Sequence, residues 1–298
     1  MLSLVEAGDD AARPAVASLV ADTGRAYTVG ITGAPGAGKS SLTDRLVGLL
    51  RTLGDAVCVL AVDPSSPRTG GAILGDRIRM GGHATDPGVF IRSMATRGQL
   101  GGLAAAAPQA IRVLDASGAP WILVETVGVG QVELDIAGAT DTTVVVVNPG
   151  WGDGVQANKA GLLEVADIFV VNKADRAGAD AAVKDLVTML EFTPGQSWRP
   201  PIVETVATTG EGVDRLWDAV VGHRRYLLET GLLEQRRRER LHDEIRKMVQ
   251  ARLAGLADSW CRGASFESLV EEHTTGTFDV QLIAELVVAA GLREAEQA

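Results

Sequence analysis

Residues Gly33–Ser40 read GAPGAGKS and fit GxxxxGK[ST] at each fixed position. A strand-like run, YTVGIT, enters them and a helix-like run, SSLTDRLVGLL, leaves. Phosphate binding needs that context. Gly36 and Gly38 let the loop through Gly33, Ala34, Pro35 and Ala37 curl, so that its N–H groups turn toward phosphate oxygens. The helix N-terminus at Lys39, Ser40 and Ser41 adds partial positive charge at the same place. Lys39 can reach the β- and γ-phosphates, and the Ser40 hydroxyl can ligate Mg²⁺.

The base is read elsewhere. Asn172–Asp175 spell NKAD directly after the apolar run IFVV, which fits the NKxD guanine-reading motif. A carboxylate at Asp175 accepts from guanine N1–H and the 2-amino group. Adenine lacks both donors and would leave a partly buried carboxylate unpaired, a penalty that can discriminate by about 10⁴. Asn172 is expected to buttress the loop, and the stem of Lys173 to cover the base. A third base-side segment follows Ile202–Val206, where the backbone N–H of Ala207, with Thr208 beside it, is the donor expected to face guanine O6.

Three acids complete the chemistry. Asp63 ends the run AVCVLAV, Asp76 lies in the Gly-rich stretch after it, and Glu125 ends WILV and opens ETVGVG. Mg²⁺ takes hard oxygen ligands and keeps several waters, and carboxylates at strand ends beside a phosphate loop suit it. ETVG occupies the place of the DxxG switch, so the Gly128 N–H would contact the γ-phosphate. Many signalling GTPases place a water-orienting Gln directly after that motif. Here the residue is Val129, and the nearest candidate is Gln131. Slow intrinsic hydrolysis that depends on a partner is the expectation. His83 is read as structural.

These residues need strands to carry them. Apolar runs at Tyr27–Thr32, Ala56–Val62, Val89–Arg92, Trp121–Glu125, Thr142–Val147, Ile168–Val171 and Ile202–Val206 are nearly continuous in Val, Ile and Leu. Such runs suit strands buried on both faces. Helix-like stretches at Ser40–Leu53, Gly101–Ala116 and Asp180–Leu190 lie between them. The alternation predicts an α/β fold, a mostly parallel P-loop GTPase sheet with helices on both faces. From about Arg225 the pattern is helical to the end. Leu241, Ile245, Met248, Val249, Leu253 and Leu256 form an apolar stripe there. RRRER at Arg236–Arg240 reads as a solvated face. The expected division is an N-terminal helical extension at 1–22, a GTPase domain at 23–225 and a helical arm at 226–298.

Bulk properties exclude other classes. A net charge of −10 over 298 residues argues against a general nucleic-acid binder. No run has the length of a membrane span, and the N-terminus does not resemble a signal peptide. The two cysteines, Cys58 and Cys261, are expected to be reduced in a cytoplasmic protein.

The segments VDPSSPRTGGAILGDRIRM, ETVGVGQVE and VNPGWGDGVQANKAGLLEVADIFVVNKAD together resemble the MeaB/ArgK family, over about residues 20–290. That family comprises P-loop GTPases attending adenosylcobalamin-dependent acyl-CoA mutases, with MMAA as the human counterpart. The resemblance implies GTP/GDP and Mg²⁺ as ligands, with Ser40, Asp63, Asp76 and Glu125 around the metal. It implies an additional switch at Asn148–Lys159, a homodimer through the helical arm, and as partners a mutase and an adenosyltransferase. Departures are Val206 where Ser is usual, Ser41 in place of Thr, and a shorter N-terminal extension. Two other readings stand beside it. One is a nickel-delivering metallochaperone GTPase, which would need a Cys- or His-rich motif. The other is a transport-associated ATPase or kinase, which would prefer ATP.

Overall fold

The structure, a computed structural model, describes residues 1–63 apart from 8 and 10, 80–95 apart from 84, 106–126, 138–150, 161, 164–192, 197–273 and 279–297. Seven strands are β1 (Tyr27–Gly33), β2 (Val57–Asp63), β3 (Val89–Ala95), β4 (Trp121–Thr126), β5 (Thr142–Val147), β6 (Ile168–Asn172) and β7 (Ile202–Thr205). Among the described residues the helices are α1 (Leu2–Ala7), α2 (Ala12–Ser18), α3 (Lys39–Thr52), α4 (Ala107–Asp115), α5 (Ala179–Glu191), α6 (Val213–Glu229), α7 (Leu232–Trp260), α8 (Ala264–His273) and α9 (Val280–Gln297). Each apolar run of the sequence is a strand.

The strands form one sheet in the order β3-β2-β4-β1-β5-β6-β7, with every pairing parallel. Alternate residues of each strand face opposite layers. Val29, Ile31, Val57, Val59, Val144 and Val146 meet Leu42, Leu46 and Leu50 of α3 and Leu216 and Val220 of α6. On the other face, Cys58, Leu60, Val62, Ile122 and Val124 pack on Ala107, Ala110 and Leu114 of α4. Val145, Val147, Phe169 and Val171 pack on Ala182 and Leu186 of α5. Both faces are covered, which is why the strand sequences lack polar alternation.

The chain leaves β1 toward β2 on one side of the sheet, and leaves β4 toward β5 on the other. Strand order therefore reverses around β1, and the carboxyl ends beside that switch point are where a ligand is held in such sheets. At the opposite end, the Asp115 carboxylate accepts from the N–H groups of Arg25 (3.2 Å) and Ala26 (2.8 Å), fixing the entry to β1. Glu6 of α1 accepts from Arg92 (2.7 Å) and from the Ala95 N–H (3.2 Å), tying the N-terminal helix to β3. The Arg51 guanidinium holds the Asp86 carboxyl below the usual carboxylate range, assisted by the Gly88 N–H.

Two compact units are present, Met1–Glu234 and Gln235–Ala298. Residue 225, where the sequence pattern changes, lies within α6, and the division falls ten residues or so further on, inside α7. The second unit is helical, as its sequence implies. Its Leu241, Ile245, Met248, Val249 and Leu253 are exposed. A separate apolar groove of about 380 Å³ in this unit is lined by Trp260, Phe266, Val270, Ile283, Val287 and Val288. Among the described residues no helix is long and apolar enough to cross a membrane.

Candidate functional site

Gly33 ends β1 at φ 132°, beside the Val146 carbonyl of β5, where a Cβ would collide with backbone. The chain then turns outward through Ala34, exposes Pro35 and Gly36, and returns at buried Ala37. Gly38, at φ 93°, opens α3 in the left-handed region. A Cβ there would meet the Asn172 amide. The glycines of the motif therefore answer two needs, backbone reversal and close approach by neighbours. Lys39 is buried, and its ammonium donates to the carbonyls of Gly33 (2.7 Å) and Ala34 (3.0 Å). Its charge is thus held over the concave face of the loop.

Ser40 is buried beside Lys39, and its hydroxyl donates to Glu125 Oε1 at 2.5 Å. Glu125, only 2% exposed, sits on β4 opposite Ile31 of β1 and Ala61 of β2. Next to it, buried Thr126 donates to the Thr32 hydroxyl (3.1 Å), locking the ends of β4 and β1 together. A hydroxyl and a carboxylate at the foot of a phosphate loop are hard oxygen donors, the type a Mg²⁺ ion takes. Asp63 ends the adjacent strand β2 in register with Ala95. Its side chain, and the whole of Asp76, Gly128, Val129 and Gln131, lie outside the described residues, as does most of Asn148–Lys159. Ser41 is exposed on the first turn of α3.

Asn172, at the end of β6, is 1% exposed and joins three segments. Its amide donates to the Ala37 carbonyl of the phosphate loop at 2.7 Å. Its Oδ1 accepts from the Thr205 hydroxyl and the Ala207 N–H, both at 3.1 Å. Lys173 follows at φ 61°, an uncommon backbone for a residue with a side chain, and its ammonium reaches back to the Gly36 carbonyl (2.6 Å). That left-handed residue costs about 1–3 kcal/mol and is the kind of strain found at ligand sites. The lysine side chain so bridges from the end of β6 to the loop between β1 and α3. Asp175 is exposed rather than partly buried and lines a hollow of about 230 Å³ with Glu204, Val206, Glu211 and Arg215.

One sequence expectation changes in detail. The Ala207 N–H, expected to face the base, is bonded to Asn172. The reason is local: Asn172 already spends its amide N–H on the phosphate loop, so its carbonyl oxygen draws the nearest backbone donor of the next strand end. Thr208 is exposed on the same loop. Two participants were missed. Thr205 is a plain strand residue in sequence, and Arg45 a plain charge on a helix, yet Arg45 donates to the carbonyls of Ala207 (2.9 Å) and Thr208 (2.5 Å). No motif marks either.

His83 lies 3.5 Å from Asp44 on the flank of α3, a structural contact. Cys58 and Cys261 are free thiols. Burial pushes the Cys58 thiol up from its ordinary range, partly offset by its contact with Ser117, so it is a core group and no nucleophile. Among the described residues no three His, Cys, Asp or Glu side chains gather as a metal site.

Comparison with known proteins places this geometry. Residues 1–259 match the family described as methylmalonyl-CoA mutase-associated GTPase MeaB. A protein of Pyrococcus abyssi, provisionally named a GTPase, is 50% identical over 292 residues, covering 97% of this chain and 90% of that one. The mouse methylmalonic aciduria type A homolog is 37% identical over 216 residues, covering 71% of this chain and 52% of that one. A crystal structure titled LAO/AO transport system kinase superposes with a TM-score of 0.71 at 23% identity, covering 99% of this chain and 90% of that one, which shows a shared fold. The glycine-rich loop between β1 and α3, the asparagine that ties it to the loop after β7, and the relatives matched along the chain agree: this chain is a P-loop GTPase of the MeaB family.

Proposed function

We propose that the protein is a GTP-hydrolysing chaperone of an adenosylcobalamin-dependent acyl-CoA mutase, with methylmalonyl-CoA mutase as the first candidate. It gates delivery of the cofactor and protects or reactivates the mutase. The match to a mutase-associated family across residues 1–259 carries this reading. An adenosyltransferase, as the source of the cofactor, is the second partner. The exposed apolar stripe of α7 supports a homodimer through the helical arm.

Within the site, Gly33–Gly38 and Lys39 hold the β- and γ-phosphates, and Asp175 takes the N1–H and 2-amino group of guanine. Ser40 and Glu125, with Asp63 and Asp76, hold Mg²⁺. That ion, when bound, neutralises charge developing on the phosphates. Lys39 supplies a second cation at the same oxygens. Gly128 senses the γ-phosphate, and Gln131 is the candidate to position the attacking water. Val129, where a water-orienting Gln is common, favours slow turnover until a partner completes the site.

Two measurements test this. The isolated protein should hydrolyse GTP slowly, and saturating mutase should raise the rate by at least tenfold while the two co-elute. A mutase that neither binds nor stimulates would remove the chaperone reading. Asp175→Asn should exchange preference for guanine with preference for xanthine nucleotides, because the amide can donate to the second carbonyl of xanthine. Unchanged GTP affinity in that variant would remove the base assignment.

A further inference from the structure

The loop between β7 and α6 is built from backbone groups, and nearly all of them are engaged. The Val206 N–H donates to the Glu211 carbonyl (3.0 Å). The N–H groups of Thr209 and Gly210 both turn back to the Val206 carbonyl, at 3.1 and 2.9 Å. The Ala207 N–H is taken by Asn172 at 3.1 Å. The Glu211 N–H reaches the Thr209 hydroxyl at 3.4 Å. That leaves the N–H groups of Thr208 and Gly212 with no acceptor among the described residues, and Gly212 is the residue that opens α6, so Thr208 is the one on the loop itself.

Arg45 controls where that N–H points. In a trans peptide the carbonyl and the following N–H lie in one plane and face opposite ways. The carbonyl of Ala207 and the N–H of Thr208 belong to the same peptide group, and among the described residues no peptide is cis. Arg45 Nε holds the Ala207 carbonyl at 2.9 Å, and its terminal nitrogen holds the next carbonyl, Thr208, at 2.5 Å. The guanidinium fork therefore pulls two successive carbonyls toward α3 and turns the Thr208 N–H away from it. A cation on the carbonyl also polarises the peptide and strengthens its N–H as a donor. Arg45 lies on the helix that begins at Lys39, so one element positions both the phosphate lysine and the base loop.

We propose that Arg45 is a base-positioning residue, which aims the Thr208 N–H at the 6-oxo group of guanine. The same N–H would confront the 6-amino group of adenine donor to donor, so Arg45 contributes to base choice without touching the nucleotide. This role rests on the guanine assignment made above. It divides the labour of recognition: Asp175 reads the N1 and 2-amino edge, and the Arg45-held peptide reads the 6-position.

The test is a panel of diphosphates on the full chain: GDP, IDP, 2-aminopurine riboside diphosphate and ADP. GDP and IDP carry the 6-oxo group, and 2-aminopurine lacks it. Arg45→Ala should weaken GDP and IDP by about tenfold, the worth of one well-placed hydrogen bond, and change 2-aminopurine riboside diphosphate by less than twofold. Arg45→Lys, which keeps the charge and at most one of the two bonds, should fall between Arg45→Ala and the wild type. It also carries the comparison if the alanine variant does not fold. Equal losses for all four ligands, or no loss for GDP, would overturn the role of Arg45 while leaving the guanine assignment intact. Equal GDP and ADP affinity in the wild type would overturn the guanine assignment, and this role with it.

Discussion

Replacing Asn172 by Ala should weaken GTP and GDP alike by at least tenfold and lower the melting temperature by about 5–10 °C. The residue is buried and makes three hydrogen bonds to three segments: Ala37 of the phosphate loop, Thr205 of β7 and Ala207 of the base loop. Truncation leaves a carbonyl, a hydroxyl and an N–H without this partner in a buried place, at a combined cost of roughly 2–4 kcal/mol. Asp at the same position separates the two halves of the role. It keeps the acceptor for Thr205 and Ala207, loses the donor to Ala37, and sets a negative charge against a carbonyl. Asn172→Asp should therefore lose nucleotide affinity at least as severely as Asn172→Ala. Calorimetric titration with GDP and a thermal melt check both variants. Full affinity with a lowered melting temperature would mean that the residue supports the fold and has no part in the site.

Lys39→Met should slow single-turnover GTP hydrolysis by about 10²–10³-fold, the typical loss when one preorganised positive group is removed from a reacting centre. Met is chosen because the Lys39 stem is buried, and a flexible apolar chain refills that volume with little strain. The ammonium is held by the Gly33 and Ala34 carbonyls, so its position is set before phosphate arrives. GTP affinity should fall more than GDP affinity, because in the proposed site the lost charge would serve the γ-phosphate as well as the β. Rapid-quench kinetics and the ratio of the two dissociation constants test this. A hydrolysis loss under tenfold would show that Lys39 does not stabilise the reacting phosphate.

The framework of the candidate site was legible in residue order because its motifs are defined by side-chain type at fixed spacing. The phosphate loop needs small residues and one lysine. Asn172 is legible because a buried amide that both donates and accepts suits a junction of loops. The strands were legible too, since burial on both faces leaves no polar alternation to confuse the pattern. What escaped depends on backbone direction. Arg45 bonds carbonyls 162 and 163 residues away, and a carbonyl has no letter in the sequence. The use of the Ala207 N–H by Asn172 escaped for the same reason: which of two adjacent N–H groups faces inward is a matter of peptide orientation. The exposure of the α7 stripe was invisible in another way, since periodicity marks an apolar face and says nothing about what covers it.

The parallel pairing of β1 has a consequence for synthesis. Tyr27 pairs with Trp121 of β4, and Val29 pairs with Thr142 of β5, so both neighbours of this strand are made long after it. Non-local pairing of this kind slows folding, because the loops must close before any contact rewards them. A nascent chain that has emerged from the ribosome as far as residue 120 carries the whole glycine-rich loop and neither of the strands that flank it. The segment that carries Lys39 is thus made before the strands that flank it, and the scaffold that gives it its shape arrives a hundred or so residues later.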